Sequence, residues 1–237
     1  MKPHILYEDQ DIIVCLKPAG IPTQTSRPGL PDMVSILKNH IYQNSAHKKQ
    51  PYLTVIHRLD QPVEGILVFG KTPEAAKSLS AQITAGKMEK IYLAVTYGKQ
   101  AEAGKKEKVL EDYLKKDGKS NTSSVVNAHT PGAKKARLSY EVLGEAVDAI
   151  SGKKKWLLRI HLDTGRHHQI RVQMAHAGMP LAGDWKYGAG TNVTIGAGSL
   201  ALCAASLTFF HPVTGKVMKF VTKPEGAEFK GISIPQM

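Results

Sequence analysis

VIHRLDQPVEGILVFGK, residues 55 to 71, contains a strand-like run ending on His57-Arg58-Leu59-Asp60, a turn at Gln61-Pro62, and a second apolar run that begins at Gly65. Two extended segments joined at a stiffening proline point to a sheet. The join also carries a carboxylate, Asp60, two residues after Arg58. In an extended segment that spacing puts both side chains on one face, where the guanidinium can lie near the carboxylate or reach toward a phosphate. Taken alone, an aspartate after a strand most often caps a turn.

Working outward, HILY (4–7) and DIIVCLKP (11–18) flank EDQD and read as a hairpin, followed by the turn formers Pro18-Ala19-Gly20. In DMVSILKNHIY (32–42), Asp32 is a helix N-cap candidate, with Val34, Leu37 and Ile41 on one face. NSAHKKQP (44–51) reads as a loop. Beyond Lys71, Thr72 caps a helix whose first position is Pro73, with Ala76, Leu79 and Ile83 at helical spacing up to Gly86. EKIYLAVTYG (89–98) is rich in β-branched and aromatic residues and reads as a strand.

From Lys99 to Lys135 the chain is lysine-rich and poor in large apolar residues. It reads as mostly exposed connection, with only VLEDYL (109–114) facing a core. ARLSYEVL (136–143) and KKWLLRIHL (154–162) are strands and Thr164-Gly165 a turn. HHQIRVQMAHAG (167–178) is a short helix, residues 183 to 198 form a glycine-rich loop, and SLTFF and KVMKFV close the chain as a hairpin across HPVTG. Strands outnumber helices without regular alternation. The expectation is therefore α+β, a mixed, mainly antiparallel sheet flanked by a few helices. With no repeat and no clean linker, 1–237 reads as a single domain.

Composition bounds the function. Hydrophobic residues at 42% and charged residues at 22% exclude global disorder. Lys and Arg total 32 against 20 Asp and Glu, a formal charge of +12 that attracts polyanions, nucleic acid first. Cys15 and Cys203 each lie in an apolar run and read as buried thiols, which excludes a disulfide framework. The N-terminus has no long apolar core, and no stretch of about 18 apolar residues occurs, so the reading is soluble and cytoplasmic, with no membrane partner.

A second basic cluster, TGRHHQIR (164–171), sets Arg166 and Arg171 around a turn and a helix start, where backbone N–H groups favour anions. HRLD with a glycine five residues later, EKIYLAVTYG, ARLSYEVL and L-x-TGR-x-HQIRV, in this order, resemble the RluA-type pseudouridine synthase family. The opening ILYEDQDIIVCLKPAGIPT also looks like that family's first strands. The resemblance runs from about residue 5 to residue 222.

The resemblance implies an RNA uridine isomerase with its active site in a cleft of a mainly antiparallel sheet. It puts the catalytic aspartate at Asp60, which must stay ionised where water is excluded, and Arg171 as its ion-pair partner. Tyr92 matches the active-site tyrosine, an aromatic face for the uracil. Without the motif it would read as a core residue. Arg58 matches the residue that fills the gap left by the flipped nucleotide, and flipping is required because a stacked uridine hides C1′ and C6. Leu138 lines the base pocket by position. Arg166, His168 and Gln169 belong to the substrate-binding motif, and His57 is structural.

Three positions depart from the family pattern. Val63-Glu64 replaces a small hydroxyl pair, His167 follows TGR where threonine is usual, and Gln173 replaces a histidine. Glu64 is expected to point outward. Among the histidines, His161, His167, His168 and His176 lack acidic or cysteine partners at ligand spacing, so no metal is expected. No phosphate-binding glycine motif occurs and the isomerisation is redox-neutral, so no cofactor is expected.

The partner would be ribosomal or transfer RNA, met by a monomer. Because the chain opens directly on the catalytic motifs, without an S4-type RNA-binding domain, affinity would come from the cleft rim and from lysines at 105–119, 134–135 and 153–155. A non-catalytic RNA-binding module or RNA chaperone shares the charge but has no use for Asp60. A nucleoside glycosidase would need a second working carboxylate.

Overall fold

The computed structural model describes residues 1–46, 48–97, 107–148, 152–188 and 199–236. In chain order the elements begin with β1 (His4–Glu8), β2 (Ile12–Lys17), α1 (Met33–Asn44), β3 (Thr54–Val55), β4 (Glu64–Gly70), α2 (Pro73–Thr84) and β5 (Glu89–Thr96). There follow β6 (Lys108–Asp117), β7 (Thr122–Val126), β8 (Lys134–Val147), β9 (Lys154–Leu162), α3 (Gln169–His176), β10 (Leu202–Phe210), β11 (Val217–Val221) and a 3-10 turn at Ala227–Phe229. The class is α+β with mainly antiparallel pairing. Two compact units emerge: Met1–Glu89 with Ala204–Lys223, and Lys90–Cys203 with Pro224–Met237. Each unit is drawn from two chain segments, so no linker marks a boundary.

In the first unit the strands run in the order β1-β2-β4-β10, with β11 beside β10 and β3 beside the end of β4. β1 and β2 form the expected hairpin, and β2 pairs antiparallel with β4. From Gly65 to Gly70, β4 is buried throughout, as its unbroken apolar run requires of a central strand. Ile12, Val14, Ile66, Val68, Leu207 and Phe209 form one core layer with Ala75 and Leu79 of α2. The alternate residues Ile13, Cys15, Leu67 and Phe69 are equally buried, so both faces of the strands are covered.

Thr72 accepts from the Ala75 amide and Pro73 starts α2. Asp32 caps α1 and trades hydrogen bonds with Ser35 in a capping box. The face that α1 buries is Met33, Ile36 and Leu37, one residue off the expected Val34-Leu37-Ile41 stripe.

The second unit carries β5-β9-β8-β6-β7, every pair antiparallel. The lysine-rich segment read as exposed connection contains β6 and β7, a hairpin laid against β8. Residues 99–106 of that segment lie outside the described residues. The reading failed because β6 buries only Leu114 fully and leaves its other residues exposed or half-buried, a pattern that resembles a solvated loop. Val172 of α3 packs on Leu114 and Ala136.

Lys155, read as part of a basic surface cluster, is 5% exposed and donates to the carbonyls of Glu228 and Lys230 at 2.9 and 3.1 Å. It holds the C-terminal segment and offers nothing to a phosphate. No helix among the described residues is long and apolar enough to cross a membrane. Cys15 and Cys203 are both buried, and burial pushes the Cys15 thiol up to about 12.

Candidate functional site

In the first unit Asp60 sits half-buried on the loop between β3 and β4, and the residues on either side of it are tied down. Leu59 is held at both backbone groups by Thr23, whose hydroxyl accepts from the Leu59 amide at 3.2 Å and donates to its carbonyl at 3.0 Å. The Gln61 carbonyl accepts from the Gly20 amide at 2.9 Å, and the Gln61 side chain returns a bond to the Gly20 carbonyl. The turn closes through the Val63 amide, which donates to the Asp60 carbonyl. These bonds fix the backbone on both sides of the carboxylate.

The sequence reading passed over Lys17. Its side chain is 1% exposed, and Nζ donates to the carbonyls of Pro18, Ile21 and Gln61 at 3.0, 2.6 and 2.9 Å. Burial lowers the ammonium to about 8, opposed by the Asp60 and Glu64 carboxylates. A buried cation therefore underlies the Asp60 loop. Its only sequence signal was a lysine ending an otherwise apolar strand. Arg58 is exposed, and the His57 ring nitrogen accepts from the Val68 amide, consistent with a structural histidine.

Gly65 explains the glycine five residues after Asp60. Its φ is +126°, and a Cβ there would lie 2.4 Å from the Ala204 carbonyl oxygen, so only glycine lets β4 start so close to β10.

In the second unit Tyr92 is 6% exposed on β5, opposite Ile160, which in turn faces Tyr140. Leu138 lies two residues before Tyr140, so Tyr92 and Leu138 share one sheet face with β9 between them. Lys90, two residues before Tyr92, shares that face. Burial lowers its pKa, offset in part by Asp163, and its Nζ lies against Gly165 of the TGR turn.

The remaining predicted residues gather at the start of α3. His168 has φ +54° and begins the helix. Gln169 Oε1 accepts from the Thr164 hydroxyl and the Arg166 amide, while its Nε2 donates to the Arg137 carbonyl and to Gln173 Oε1. Gln173 passes the chain on to Asp112 at 2.7 Å, which accounts for an amide at that position. Arg166 Nε donates to the Lys135 carbonyl.

His167 stacks on His168 with ring centroids 3.8 Å apart, and its ring nitrogens meet Ser123 and Asn121 of the β7 side. The histidine thus ties α3 to the β6–β7 hairpin. Burial, reinforced by Arg171, His167, Lys186 and Lys116, lowers His168 to about 3, so its imidazole is neutral near neutral pH.

Arg171, 3% exposed, donates from Nε and Nη2 to the two carboxylate oxygens of Asp184 at 2.8 and 2.7 Å, and its guanidinium lies 5.1 Å from the Tyr187 ring centroid. The Tyr187 hydroxyl accepts from the Ser123 amide and meets His168 Nδ1 at 2.7 Å. Both Asp184 and Tyr187 escaped the sequence reading, which assigned them to a glycine-rich loop.

The carboxylate and imidazole atoms of Asp9, Asp11 and His211 lie within 4.8 Å of one another, a spacing compatible with a cation. The hydrogen bonds argue for a latch instead. Asp9 Oδ1 accepts from the Asp11 and Ile12 amides, and Oδ2 from Tyr7 and from His211 Nε2 at 2.7 Å. His211 Nδ1 accepts from the Val213 and Thr214 amides, which leaves the imidazole proton on Nε2.

The fold is similar to two solved human proteins, RNA Pseudouridylate Synthase Domain Containing 4 and Domain Containing 1. Their TM-scores are 0.73 and 0.71 at 20% identity, over 94% of this chain and 89% and 84% of theirs. Ribosomal large subunit pseudouridine synthase D of Vibrio parahaemolyticus is 31% identical over 229 residues, covering 91% of this chain; the chain spans 65% of that protein's length. An uncharacterized RNA pseudouridine synthase of Bacillus subtilis, YlyB, is 33% identical over 217 residues, covering 91% of this chain and 67% of its own. The family model for RNA pseudouridylate synthases matches residues 11–176, a span that contains the Asp60 loop, β5 with Tyr92 and the whole of α3, and the chain belongs to that family.

Proposed function

We propose that the protein isomerises specific uridines in RNA to pseudouridine, with Asp60 as the catalytic carboxylate. The observation that carries this reading is the Asp60 loop: a half-buried carboxylate, tied at both neighbours and set above the buried Lys17, within the segment that matches the family. In the proposed reaction the uridine is flipped out of its stack, the N1–C1′ bond breaks and a C5–C1′ bond forms. C5 gives up its proton and N1 gains one, so the reaction is redox-neutral and needs no cofactor.

By motif position Tyr92 presents its ring to the uracil, Leu138 borders it, and Arg171 offsets the charge of Asp60. Arg58 fills the vacated stack and Arg166 contacts the surrounding RNA, while His168 and Gln169, expected as RNA contacts but 8% and 3% exposed, brace the start of α3 from inside. The first substrate to try is large-subunit ribosomal RNA, because relatives at about 30% identity carry that substrate in their names. Transfer RNA comes second. The protein is proposed to act in the cytoplasm as a monomer.

The test is to incubate the protein and Asp60→Asn with unmodified transcripts of both RNAs, digest them, and separate nucleosides chromatographically, since the product has the mass of uridine. The reading predicts pseudouridine from the parent and none from the variant, with RNA binding retained. Equal product from the two proteins would remove Asp60 from the mechanism.

A further inference from the structure

Asp184 organises the five-residue segment Asp184–Gly188. Besides taking both hydrogen bonds from Arg171, its Oδ1 accepts from the amides of Lys186 and Tyr187 at 3.0 and 3.3 Å. Its carbonyl accepts from the Gly188 amide at 2.8 Å, so close that a Cβ on residue 188 would lie 2.5 Å from that oxygen. Tyr187 turns inward to Ser123 and His168. The segment is a rigid turn clamped to α3.

Trp185 is the exception: it points out of this turn and is 68% exposed, whereas the chain's other tryptophan, Trp156, is 3% exposed. A fixed turn that holds an indole in water gains no burial from it. Its surroundings are cationic. Lys186 Nζ lies 5.3 Å from the indole centroid and donates to the Asn121 carbonyl at 3.0 Å, at the tip of the β6–β7 hairpin. Lys115, Lys116 and Lys119 are exposed on that hairpin.

We propose that Trp185 is a stacking platform for an unpaired RNA base outside the reacting uridine, with Lys186 and the hairpin lysines holding the adjoining phosphates. The proposal deepens the reading of the protein as an RNA-modifying enzyme and rests on it for the identity of the polyanion. Stacking on an aromatic ring tolerates any base, so Trp185 contributes affinity and positioning and leaves the choice of uridine to other contacts. A membrane would instead call for a broad apolar face, and among the described residues the neighbours given for Trp185 are cationic.

Tryptophan fluorescence of the full chain reports the contact directly, because one tryptophan is buried and the other exposed. A short single-stranded oligoribonucleotide titrated into the parent and into Asp60→Asn is expected to quench the exposed component in both. Trp185→Ala should lose the quench and bind about five- to tenfold more weakly. Trp185→Phe should recover most of the affinity, a rescue that a merely structural role would not produce. Circular dichroism melts of the variants check folding.

Unchanged affinity in Trp185→Ala, no quench in the parent, or a response of Trp185 to anionic phosphatidylserine vesicles and not to RNA would overturn the proposal. If the parent forms pseudouridine while Trp185→Ala binds normally, only the platform fails. If RNA quenches Trp185 but no pseudouridine forms, the platform stands and the catalytic reading fails.

Discussion

Arg171 and Asp184 meet through two parallel hydrogen bonds, with side chains 3% and 0% exposed. The pair joins α3 to the turn that follows it, and every oxygen of the carboxylate is engaged. Asp184→Ala would take both of these hydrogen bonds from a buried guanidinium, a loss of about 3–5 kcal/mol. Arg171→Lys should also be harmful, because an ammonium supplies neither the two-point fork nor the flat cation over Tyr187. Urea denaturation of the purified variants measures both; a loss under about 1 kcal/mol for Asp184→Ala would show that water reaches the pair.

Gly65→Ala meets two obstacles at once, a φ of +126° and the Ala204 backbone 2.4 Å from the new carbon. The shift must be taken by β4 or β10, neither of which has slack in a sheet covered on both faces. We expect destabilisation of about 2–4 kcal/mol and, because β4 begins four residues after Asp60, a fall in product formation larger than the folding loss alone explains. Thermal melts read beside the pseudouridine assay separate the two effects.

The Asp9–His211 latch gives two readouts. Burial works to raise Asp9, and the Ile12 and Asp11 amides, Tyr7 and His211 outweigh it, so the folded carboxyl sits below its ordinary 3.8. A carboxyl lowered on folding contributes stability that is present above its unfolded value and is lost as pH falls through its folded one. Asp9→Asn should therefore shrink the acid-side loss of stability below about pH 4. Zinc or magnesium should leave the melting temperature of the parent unchanged, because both carboxylate oxygens of Asp9 and both ring nitrogens of His211 are already hydrogen-bonded; a rise of several degrees would establish a metal site.

What the sequence revealed and what it concealed divide by the range of the interaction. Thr72-Pro73, Asp32 and the apolar run from Gly65 are local signals, and each element formed where the residues indicated. The β6–β7 hairpin was hidden because a strand with one fully buried side chain in ten looks like a solvated segment. Lys155 could not be told from Lys153 and Lys154, since its burial depends on carbonyls more than 70 residues away. Lys17 and Asp184 were missed for the same reason. The motif residues were legible by resemblance, but the groups that hold them in place belong to tertiary structure.

Lys17 offers the sharpest pH test of that hidden layer. Its pKa is about 8 in the folded protein against 10.5 unfolded, the lowered direction expected of a buried ammonium. Below pH 8 both states carry the proton and the penalty of burying the charge is fully present. Between about 8 and 10.5 this residue binds more proton in the unfolded chain than in the folded one, so its own contribution to stability rises with pH across that window, on the order of 2–4 kcal/mol in total, against the opposite contribution of the raised Cys15 thiol above pH 9. Lys90, lowered in the same direction, adds to the rise. Lys17→Met removes the titrating group and strands three carbonyls, so it should be less stable at pH 7 and show a flatter profile from 8 to 10.5. The informative quantity is the slope of unfolding free energy against pH, parent minus variant; identical slopes would mean that the Lys17 ammonium is not held in a desolvated site beneath the Asp60 loop.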